Sequence, residues 1–378
     1  MNLRILSVFG TRPEAVKMAP IVRLLTQTAG IESRVCVTAQ HRQMLDQVLD
    51  LFQIRPDYDL DLMRDDQTLA EISASIFTDL DPVLRDFQPD WVLVVGDTTT
   101  VVVTSLLAYY RRIKVGHVEA GLRTHNKWHP FPEEINRRLA TVIADLHFAP
   151  TEWSQRNLLR EGIDAKTIVV TGNSVIDALR FVAKQEQPPE IHTLLHQLGL
   201  TTNQPGKRLI LVTAHRRENF GTPLENICHA IKEIAARDDV EIVYPVHLNP
   251  KVQEPVSRIL RGISHITLLP PLDYLPLVHL MKHAKLILTD SGGLQEEAPS
   301  FGIPVLVMRE VTERPEGVDA GILKLVGTQT SQIIQETIRL LDNPTNYAQM
   351  AKAANPYGDG YAAERIVEAL LRAERTVE

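Results

Sequence analysis

Short apolar runs alternate with longer amphipathic segments along almost the whole chain, and this alternation limits the possible folds more than any other feature. Uninterrupted apolar runs such as Trp91–Val95 are typical of strands that are buried on both faces of a sheet. The segments between them, such as Leu69–Phe87, have the length and the apolar spacing of amphipathic helices. The pattern therefore predicts repeated βαβ units and parallel sheets.

The apolar runs fall into two series. In the first, the predicted strands are Arg4–Phe9, Ser33–Thr38, Trp91–Val95, Lys114–Val118, Leu146–Ala149 and Thr167–Val170. The predicted helices between them are Ala15–Thr28, Arg42–Phe52, Leu69–Phe87, Thr99–Arg111 and Glu134–Ile143. In the second series, the predicted strands are Arg208–Thr213, Val240–Pro245, His265–Leu269, Lys285–Thr289 and Pro304–Val307. Two successive α/β sheets of similar size are expected.

A polar stretch with paired prolines, Lys184–Glu190, interrupts the rhythm near the middle of the chain. The chain has 378 residues, which exceeds the usual size of one hydrophobic core. We therefore predict an α/β protein with two Rossmann-like domains, at residues 1–183 and 184–361, and a central cleft.

Composition narrows the classes of partner and the compartment. The formal net charge of −7 argues against nucleic-acid binding, although a local basic cluster can still bind an anionic ligand. The first apolar run is too short for a signal peptide, and no run is long enough to span a membrane. The two cysteines, Cys36 and Cys228, are far apart in sequence. A reduced, cytoplasmic compartment without membrane contact is expected.

Parallel sheets bind ligands beyond the carboxyl ends of their strands, so functional residues are sought just after each strand. After the first strand, Gly10 permits a tight turn, and Arg12 and Lys17 follow at the start of a helix. The N-terminus of a helix favours a bound anion. Ligand binding by these cations is the prediction, and a capped helix with solvated cations is the alternative.

Three acids follow later strands of the first series. They are Asp97, Glu119 and Glu133, with Arg137 as a nearby counter-charge. Asp97 alone could cap the next helix, and the helix dipole alone could account for Glu133. Glu119 ends a buried strand and requires a partner there. Converging carboxylates would acquire separated pKa values and could divide the acid and base roles of one reaction.

Two further sites follow strands of the second series. His215 stands beside two arginines, which suits contact with a phosphate or a leaving group. Ser291, Gly292 and Gly293 begin a helix whose free backbone N–H groups can bind a diphosphate, while Glu297 can accept from ribose hydroxyls. Ser-Gly-Gly by itself is a common sequence, and the acidic residues that follow make it more specific.

Neither a metal nor a dinucleotide cofactor is predicted. His125 and His129 have an HxxxH spacing, but Pro130 indicates a loop, and the HExxH pattern is missing. GxGxxG follows none of the predicted strands, so the dinucleotide fingerprint is missing as well.

Six motifs occur together along the chain. They are Gly-Thr-Arg-Pro-Glu at 10–14, Gly-Asp at 96–97, Val-Glu-Ala-Gly-Leu-Arg at 118–123, Pro-Glu-Glu-x-Asn-Arg at 132–137, Thr-x-His-Arg-Arg-Glu-Asn at 213–219 and Asp-Ser-Gly-Gly-x-Gln-Glu-Glu at 290–297. In these motifs the chain resembles the non-hydrolysing UDP-N-acetylglucosamine 2-epimerases of the bacterial type. The resemblance implies the GT-B architecture, in which a C-terminal helix, here about 362–378, joins the first domain.

The resemblance also implies an activity. Members of the family interconvert UDP-N-acetylglucosamine and UDP-N-acetylmannosamine by inverting carbon 2, which supplies N-acetylmannosamine for cell-surface polysaccharides. UDP is eliminated to give 2-acetamidoglucal and is then added back. By motif, Asp97, Glu119 and Glu133 are the acid and base carboxylates, and His215 attends the diphosphate leaving group. The matched substrate-binding residues are Arg12, Lys17, Arg137, Ser291, Gly292, Gly293, Glu297 and Arg314.

Bacterial members are associated with activation by a second UDP-N-acetylglucosamine molecule and with a homodimer. Gln40, Gln43, Arg216 and His247 match the residues of that allosteric site, whereas Asp66 falls where some members carry arginine. Three other functions remain open from the residues alone. They are a GT-B glycosyltransferase, a hydrolysing epimerase that releases free N-acetylmannosamine, and a nucleotide-sugar sensor without turnover.

Overall fold

The structure, a computed structural model, describes residues 2–38, 42–62, 64, 67–200 and 206–375. Two compact units divide the chain. The first contains Met1–Arg180 and Tyr357–Glu378, and the second contains Phe181–Pro356. No helix of the described ranges is both long enough and apolar enough to cross a membrane.

The first unit is built on a parallel sheet. Its strands are β1 Leu3–Phe9, β2 Ile31–Val37, β3 Tyr58–Asp59, β4 Trp91–Val95, β5 Lys114–Val118, β6 Leu146–Ala149 and β7 Ile168–Val170. The helices that connect them are α1 Arg12–Gln27, α2 Arg42–Phe52, α3 Leu69–Phe87, α4 Thr99–Tyr110, α5 Glu133–Ile143 and α6 Glu152–Arg160, and α7 Ser174–Val182 runs into the second unit.

The strand order of this sheet is β3-β2-β1-β4-β5-β6-β7. The chain leaves β1 toward β2 on one side and returns to β4 on the other side, so the order reverses between β1 and β4. The crevice beyond the carboxyl ends of two such strands is where open α/β sheets bind ligands. In this unit, the loops after Phe9 and after Val95 border that crevice.

Local sequence accounts for the elements beside this crevice. Every residue of β4 is buried, in agreement with its continuous apolar run. Thr68 and Glu71 form a capping box at the start of helix α3, and Gln88, with a left-handed φ of 49°, is its C-cap. Buried Phe87 and Leu84 of the same helix pack in one core with residues of β1 and β4.

The second unit repeats this construction. Its strands are β8 Arg208–Thr213, β9 Val240–Pro245, β10 Ile266–Leu269, β11 Ala284–Thr289, β12 Val305–Val307 and β13 Leu323–Leu325. Its helices are α8 Pro189–Gln197, α9 Thr222–Ile234, α10 Pro250–Leu260, α11 Tyr274–His283, α12 Gly292–Glu297, α13 Pro315–Asp319, α14 Thr330–Asp342 and α15 Pro344–Ala351. The strand order β10-β9-β8-β11-β12-β13 reverses between β8 and β11. The residues after Thr213 and Thr289 therefore border the crevice of this sheet.

The last helix, α16 Ala362–Arg375, belongs to the first unit and packs against α1. The carboxylate of Asp177 accepts the backbone N–H groups of Ala362 and Ala363, at 3.2 and 2.9 Å, and so satisfies free donors in the first turn of α16. Near the other end of the helix, Glu374 accepts from the indole Nε1 of Trp91 at 2.7 Å. These bonds fix α16 at both ends.

The fold class predicted from the sequence, two parallel α/β sheets, is confirmed. The cleft between the domains stays a prediction. Two strands were missed, β3 and β13, because each is very short and neither is an uninterrupted buried run. The predicted strand beginning at Thr167 begins instead at Ile168, because Ala165–Thr167 form a 3₁₀ turn.

Candidate active site

The loop after β1 is fixed by a buried glutamate. Glu14 accepts hydrogen bonds from the backbone N–H groups of Gly10 and Thr11, at 2.9 and 2.7 Å, and from the hydroxyl of Thr98 at 2.6 Å. Burial raises the pKa of Glu14, and these bonds partly offset the rise. Thr98 directly follows Asp97, so Glu14 joins the two loops that border the crevice. At Gly10, an added Cβ would lie 1.9 Å from Thr38 Oγ1, so the tight approach requires glycine.

Glu119, the first residue after β5, has an unusual backbone and two close partners. Its φ of 63° is left-handed, which is rare for a residue other than glycine and is typical of functional sites. Its Oε1 accepts from Lys17 Nζ at 2.5 Å and from Asn173 Nδ2 at 3.0 Å. The buried carboxylate therefore has the partner that the sequence required of it.

Asp97, in the loop after β4, is bound by Arg137 of α5. Arg137 donates from Nε at 2.9 Å and lies 2.7 Å from the same carboxylate oxygen through Nη2. The neighbouring Asn136 donates to the backbone oxygen of Asp97 at 2.9 Å. Burial opposes the charge on Arg137, but Asp97, Glu134 and Glu119 outweigh it and raise the pKa of Arg137. One buried cation thus lies in the field of both Asp97 and Glu119.

The two acids at the start of α5 have different surroundings. Glu134 is fully buried and accepts the backbone N–H groups of Thr124 and His125, at 2.9 and 3.1 Å, which fixes the preceding loop. Glu133 is half-buried, and its buried Oε2 has no hydrogen-bond partner among the described residues. Residues four apart share a helix face, so Glu133 lies on the face from which Arg137 reaches Asp97. A buried carboxylate oxygen without a hydrogen-bond donor is uncommon in folded proteins, so Glu133 is a candidate functional residue.

His117 of β5 supports the Asp97 loop. Its Nε2 lies 2.7 Å from the backbone oxygen of Gly96 and donates to it in the neutral ring. Burial lowers the pKa of His117 to about 4, so the ring is neutral near neutral pH. Gly96 has a φ of 81°, which places the turn before Asp97 in the left-handed region.

In the second unit, a fully buried aspartate organises the loop after β8. Asp290 accepts the backbone N–H groups of His215 and Arg216, both at 2.8 Å, and the side-chain amide of Asn219 at 3.0 Å. The Nδ1 of His215 is 3.4 Å from the same carboxylate. The ring of His215 stacks on His247 with centroids 5.5 Å apart. Burial lowers the pKa of His215, Arg216 and His247 add to that effect, and Asp290 opposes it.

Beside His215 lies a network of arginines and glutamates. Glu313 is 2.8 Å from Arg309, 3.4 Å from Arg314 and 3.9 Å from Arg216. Burial disfavours the charge on Glu313, but the three arginines outweigh burial and lower the pKa of Glu313 to about 2. Arg314 also binds Glu296 at 2.5 Å. The arginines are therefore fixed before any anion binds.

The loop after β11 brings a glycine against this network. A Cβ added at Gly292 would lie 2.7 Å from Nη1 of Arg314, so any larger residue would displace the guanidinium. Ser291 occupies the N-cap of α12 and makes no side-chain cap bond. At the far end of α12, buried Glu297 accepts from the hydroxyl of Tyr274 at 2.6 Å. Backbone donors, a guanidinium and a carboxylate thus lie along one short helix.

A family model described as UDP-N-acetylglucosamine 2-epimerase matches residues 23–371. The chain belongs to this family. A UDP-N-acetylglucosamine 2-epimerase of Yersinia pestis is 58% identical over 379 residues, which covers 99% of this chain and 100% of the relative.

Solved structures of UDP-GlcNAc 2-epimerases are also similar to this chain. That of a Neisseria meningitidis UDP-GlcNAc 2-epimerase bound to UDP-GlcNAc is similar with a TM-score of 0.90 at 50% identity, and covers 98% of this chain and 100% of that one. A Methanocaldococcus jannaschii UDP-GlcNAc 2-epimerase in complex with UDP-GlcNAc and UDP has a TM-score of 0.81 at 34% identity, with 98% and 100% coverage.

The residues predicted from the resemblance to 2-epimerases fall into two groups, one in each unit. Lys17 pairs with Glu119, and Arg137 pairs with Asp97. The charge of Glu119 also raises the pKa of Arg137. Arg12 is the first residue of α1, the helix that carries Lys17. In the second unit, His215, Arg216 and His247 lie together, and Gly292 contacts Arg314. Gln40 lies outside the described residues, as does Asp66, and for Gln43 only the position in α2 is described.

Some residues that the sequence did not single out bind predicted site residues. Asp290, Asn173 and Glu313 are among them. Asp290 directly follows strand β11, and Asn173 lies three residues after strand β7. The search for polar residues just after strands, which led to Asp97, could therefore have found both. For Glu313, the available sequence indication of an ion pair was the arginine that follows it, Arg314. The suggestion that Asp97 caps α4 is wrong, because Thr98 occupies that N-cap.

Proposed function

We propose that this chain reversibly converts UDP-N-acetylglucosamine to UDP-N-acetylmannosamine by elimination and re-addition of UDP. A base removes the proton from carbon 2 while the bond from carbon 1 to the UDP oxygen breaks, which gives 2-acetamidoglucal and UDP. A proton then returns to carbon 2 from the other face as UDP adds back to carbon 1. Among family members, the Neisseria meningitidis enzyme was solved with UDP-GlcNAc bound, which supports this substrate.

The observation that carries the proposal is the group of carboxylates and cations around Arg137. Asp97 and Glu119 follow adjacent strands β4 and β5, and each has a cation at hydrogen-bond distance. Glu133 adds a buried carboxylate oxygen that has no hydrogen-bond partner in the part of the chain that the structure describes. We assign the proton transfers at carbon 2 to these three acids, because carboxylates positioned beside a reacting carbon can act as general acids and bases.

We assign nucleotide binding to the second unit, where arginines, His215 and backbone donors lie near one another. The proton on carbon 2 is weakly acidic, so the carbon–oxygen bond must be largely broken when the proton leaves, and negative charge develops on the diphosphate. Arg314, His215 and the backbone donors at Ser291–Gly293 are suited to stabilise that charge because their neighbours already fix them. Glu297 is assigned to the ribose hydroxyls, and Arg12 and Lys17 to the nucleotide sugar.

The product distinguishes this reaction from its alternatives. Purified protein is incubated with UDP-N-acetylglucosamine alone, and the mixture is separated by anion-exchange chromatography. A non-hydrolysing epimerase gives UDP-N-acetylmannosamine with no loss of nucleotide sugar. Free N-acetylmannosamine and UDP would identify a hydrolysing enzyme. Release of UDP only when an acceptor is added would identify a glycosyltransferase. Unchanged substrate would identify a sensor.

Four further expectations belong to the proposal. They are supply of N-acetylmannosamine for polysaccharides, a cytoplasmic location, a homodimer, and activation by a second substrate molecule. Contact between copies is supported by an apolar stripe on α5, where Ile135, Leu139 and Val142 are exposed at helical spacing. Activation is supported by the stacking of His247 on His215, because a ligand that moves one ring must disturb the other.

A further inference from the structure

Asn173 lies in the loop between β7 and α7, outside the six motifs of the family resemblance. It is buried, and its Oδ1 accepts the backbone N–H of Val175 at 3.1 Å. This bond settles the orientation of the amide, because the oxygen must face the N–H donor. The Nδ2 therefore faces Glu119 and donates to its Oε1 at 3.0 Å.

The amide restricts Glu119 in a way that Lys17 cannot. Lys17 binds the same oxygen at 2.5 Å, but an ammonium group at the end of a flexible stem accepts many orientations of its partner. A planar amide donates along fixed directions and so limits the rotation of the carboxylate. Oε2 then points toward Gly96, where an added Cβ would lie 3.5 Å from it. Gly96 immediately precedes Asp97, so this orientation turns Oε2 toward the Asp97 loop.

The backbone of Asn173 is fixed by the segment that enters α16, residues 357–361. The N–H of Asn173 donates to the oxygen of Tyr357 at 2.7 Å. Beside it, Gly172 and Gly358 pack so closely that a Cβ on either would lie 3.2 Å from the other's Cα. Arg365 of α16 donates to the oxygen of Thr171 at 2.9 Å. A donor fixed by so many contacts does not have to be ordered when substrate binds.

We propose that Asn173 is a positioning residue for the epimerase reaction, and that it holds Glu119 in the orientation needed for proton transfer. The inference rests on the proposed function, because it requires Glu119 to move a proton at carbon 2. In this proposal Asn173 acts on the reaction through its bond to Glu119. Its loss therefore affects the chemical step more than substrate binding.

The test compares Asn173→Asp and Asn173→Ala with the wild type over a range of pH, with UDP-N-acetylglucosamine as substrate. Asn173→Asp keeps the shape and the acceptor for Val175, but sets a second carboxylate against Glu119. Among the described residues, Lys17, Arg137 and His117 are charged or titratable groups that interact with Glu119, and both variants retain them. Because like charges resist joint ionisation, the pH optimum should rise by about one unit or more.

Asn173→Ala removes the donor without adding charge. We expect kcat to fall roughly ten- to a hundredfold, as for the loss of a hydrogen bond to a charged group, while KM changes little. The matched control is Asn343→Asp, the same exchange at the N-cap of α15, where Oδ1 accepts only the backbone donors of Thr345 and Asn346 in the described chain. Its pH optimum should equal that of the wild type.

Folding of each variant is checked by tryptophan fluorescence and thermal unfolding. An active wild type, with Asn173→Asp keeping the wild-type pH optimum, would overturn the inference and leave the proposed function intact. If either variant does not fold, the other decides: Asn173→Asp through the pH optimum, and Asn173→Ala through the separate effects on kcat and KM. A wild type that forms no UDP-N-acetylmannosamine contradicts the proposed function itself.

Discussion

Replacement of His117 by glutamine should change how the stability of the first unit depends on pH. The pKa of His117 is lowered from 6.5 to about 4, mainly by burial. Between about pH 4 and pH 6.5 the unfolded chain therefore binds a proton at this residue, whereas the folded chain does not. Stability contributed by the neutral ring is fully present above pH 6.5 and is lost as pH falls toward 4. Glutamine can still donate a hydrogen bond to the backbone oxygen of Gly96, but its side chain does not bind a proton in this pH range.

The size of the effect follows from the two pKa values. A shift from 6.5 to about 4 corresponds in full to about 3 kcal/mol of unfolding free energy. Between pH 7 and pH 5 the linkage relation gives a loss of about 2 kcal/mol in the wild type that His117→Gln does not share. The buried His147, whose pKa is also lowered by burial, is present in both proteins and cancels from their difference.

Urea unfolding followed by tryptophan fluorescence is the suitable assay, because Trp91, Trp128 and Trp153 all belong to the first unit. The unfolding free energy of wild type minus variant is measured at pH 7, 6 and 5. His192→Gln, at an exposed site on α8 of the second unit, is the control and should show no such trend. A wild-type-minus-variant difference that stays constant with pH would refute the assignment of a neutral buried ring to His117.

Three further outcomes are expected. Asp97→Asn and Glu119→Gln should each lower kcat by several orders of magnitude, measured by product formation. UDP should still bind to both variants in calorimetric titration. Near-normal rates in both variants exclude the assigned roles. His215→Ala should slow carbon–oxygen cleavage by about a hundredfold or more in stopped assays of UDP exchange, and an unchanged rate removes it from the site. Glu313→Gln should lower the unfolding free energy of the second unit by about 1–3 kcal/mol near neutral pH, followed by circular dichroism, because its arginines lose a buried partner. With the pKa of Glu313 at about 2, that difference should shrink as pH falls from 4.5 toward 2, and a difference that persists there contradicts the ion network.

Much of the fold follows from periodicity in the sequence. Strands β4, β5, β6, β8 and β9 have the bounds that their mainly apolar runs predict. The signal is strongest in β4, where every residue is apolar and buried. The short strands β3 and β13 lack that signal, since their pairing is decided by neighbours that are distant in sequence. Strand order, and so the location of each crevice, is likewise a tertiary property.

The positions of candidate residues were predictable where a residue follows a strand, and less so where one residue contacts another that is distant in sequence. Asp97, Glu119 and His215 do follow strands β4, β5 and β8, as the sequence predicts, and their roles stay predictions. The contrast between Glu133 and Glu134 was not predictable, because both acids suit the first turn of a helix and only packing buries Glu134 among backbone donors. The bond from Asn173 to Glu119 spans 54 residues, and no local pattern encodes it.

Exchange of the hydrogen on carbon 2 with solvent tests the central claim most directly. The wild-type protein is incubated with UDP-N-acetylglucosamine in heavy water, and the nucleotide sugars are examined by proton NMR and mass spectrometry. Removal and return of a proton at carbon 2 by Asp97, Glu119 and Glu133 predicts that UDP-N-acetylmannosamine carries deuterium at carbon 2. Product that retains its original hydrogen at that carbon would contradict the account.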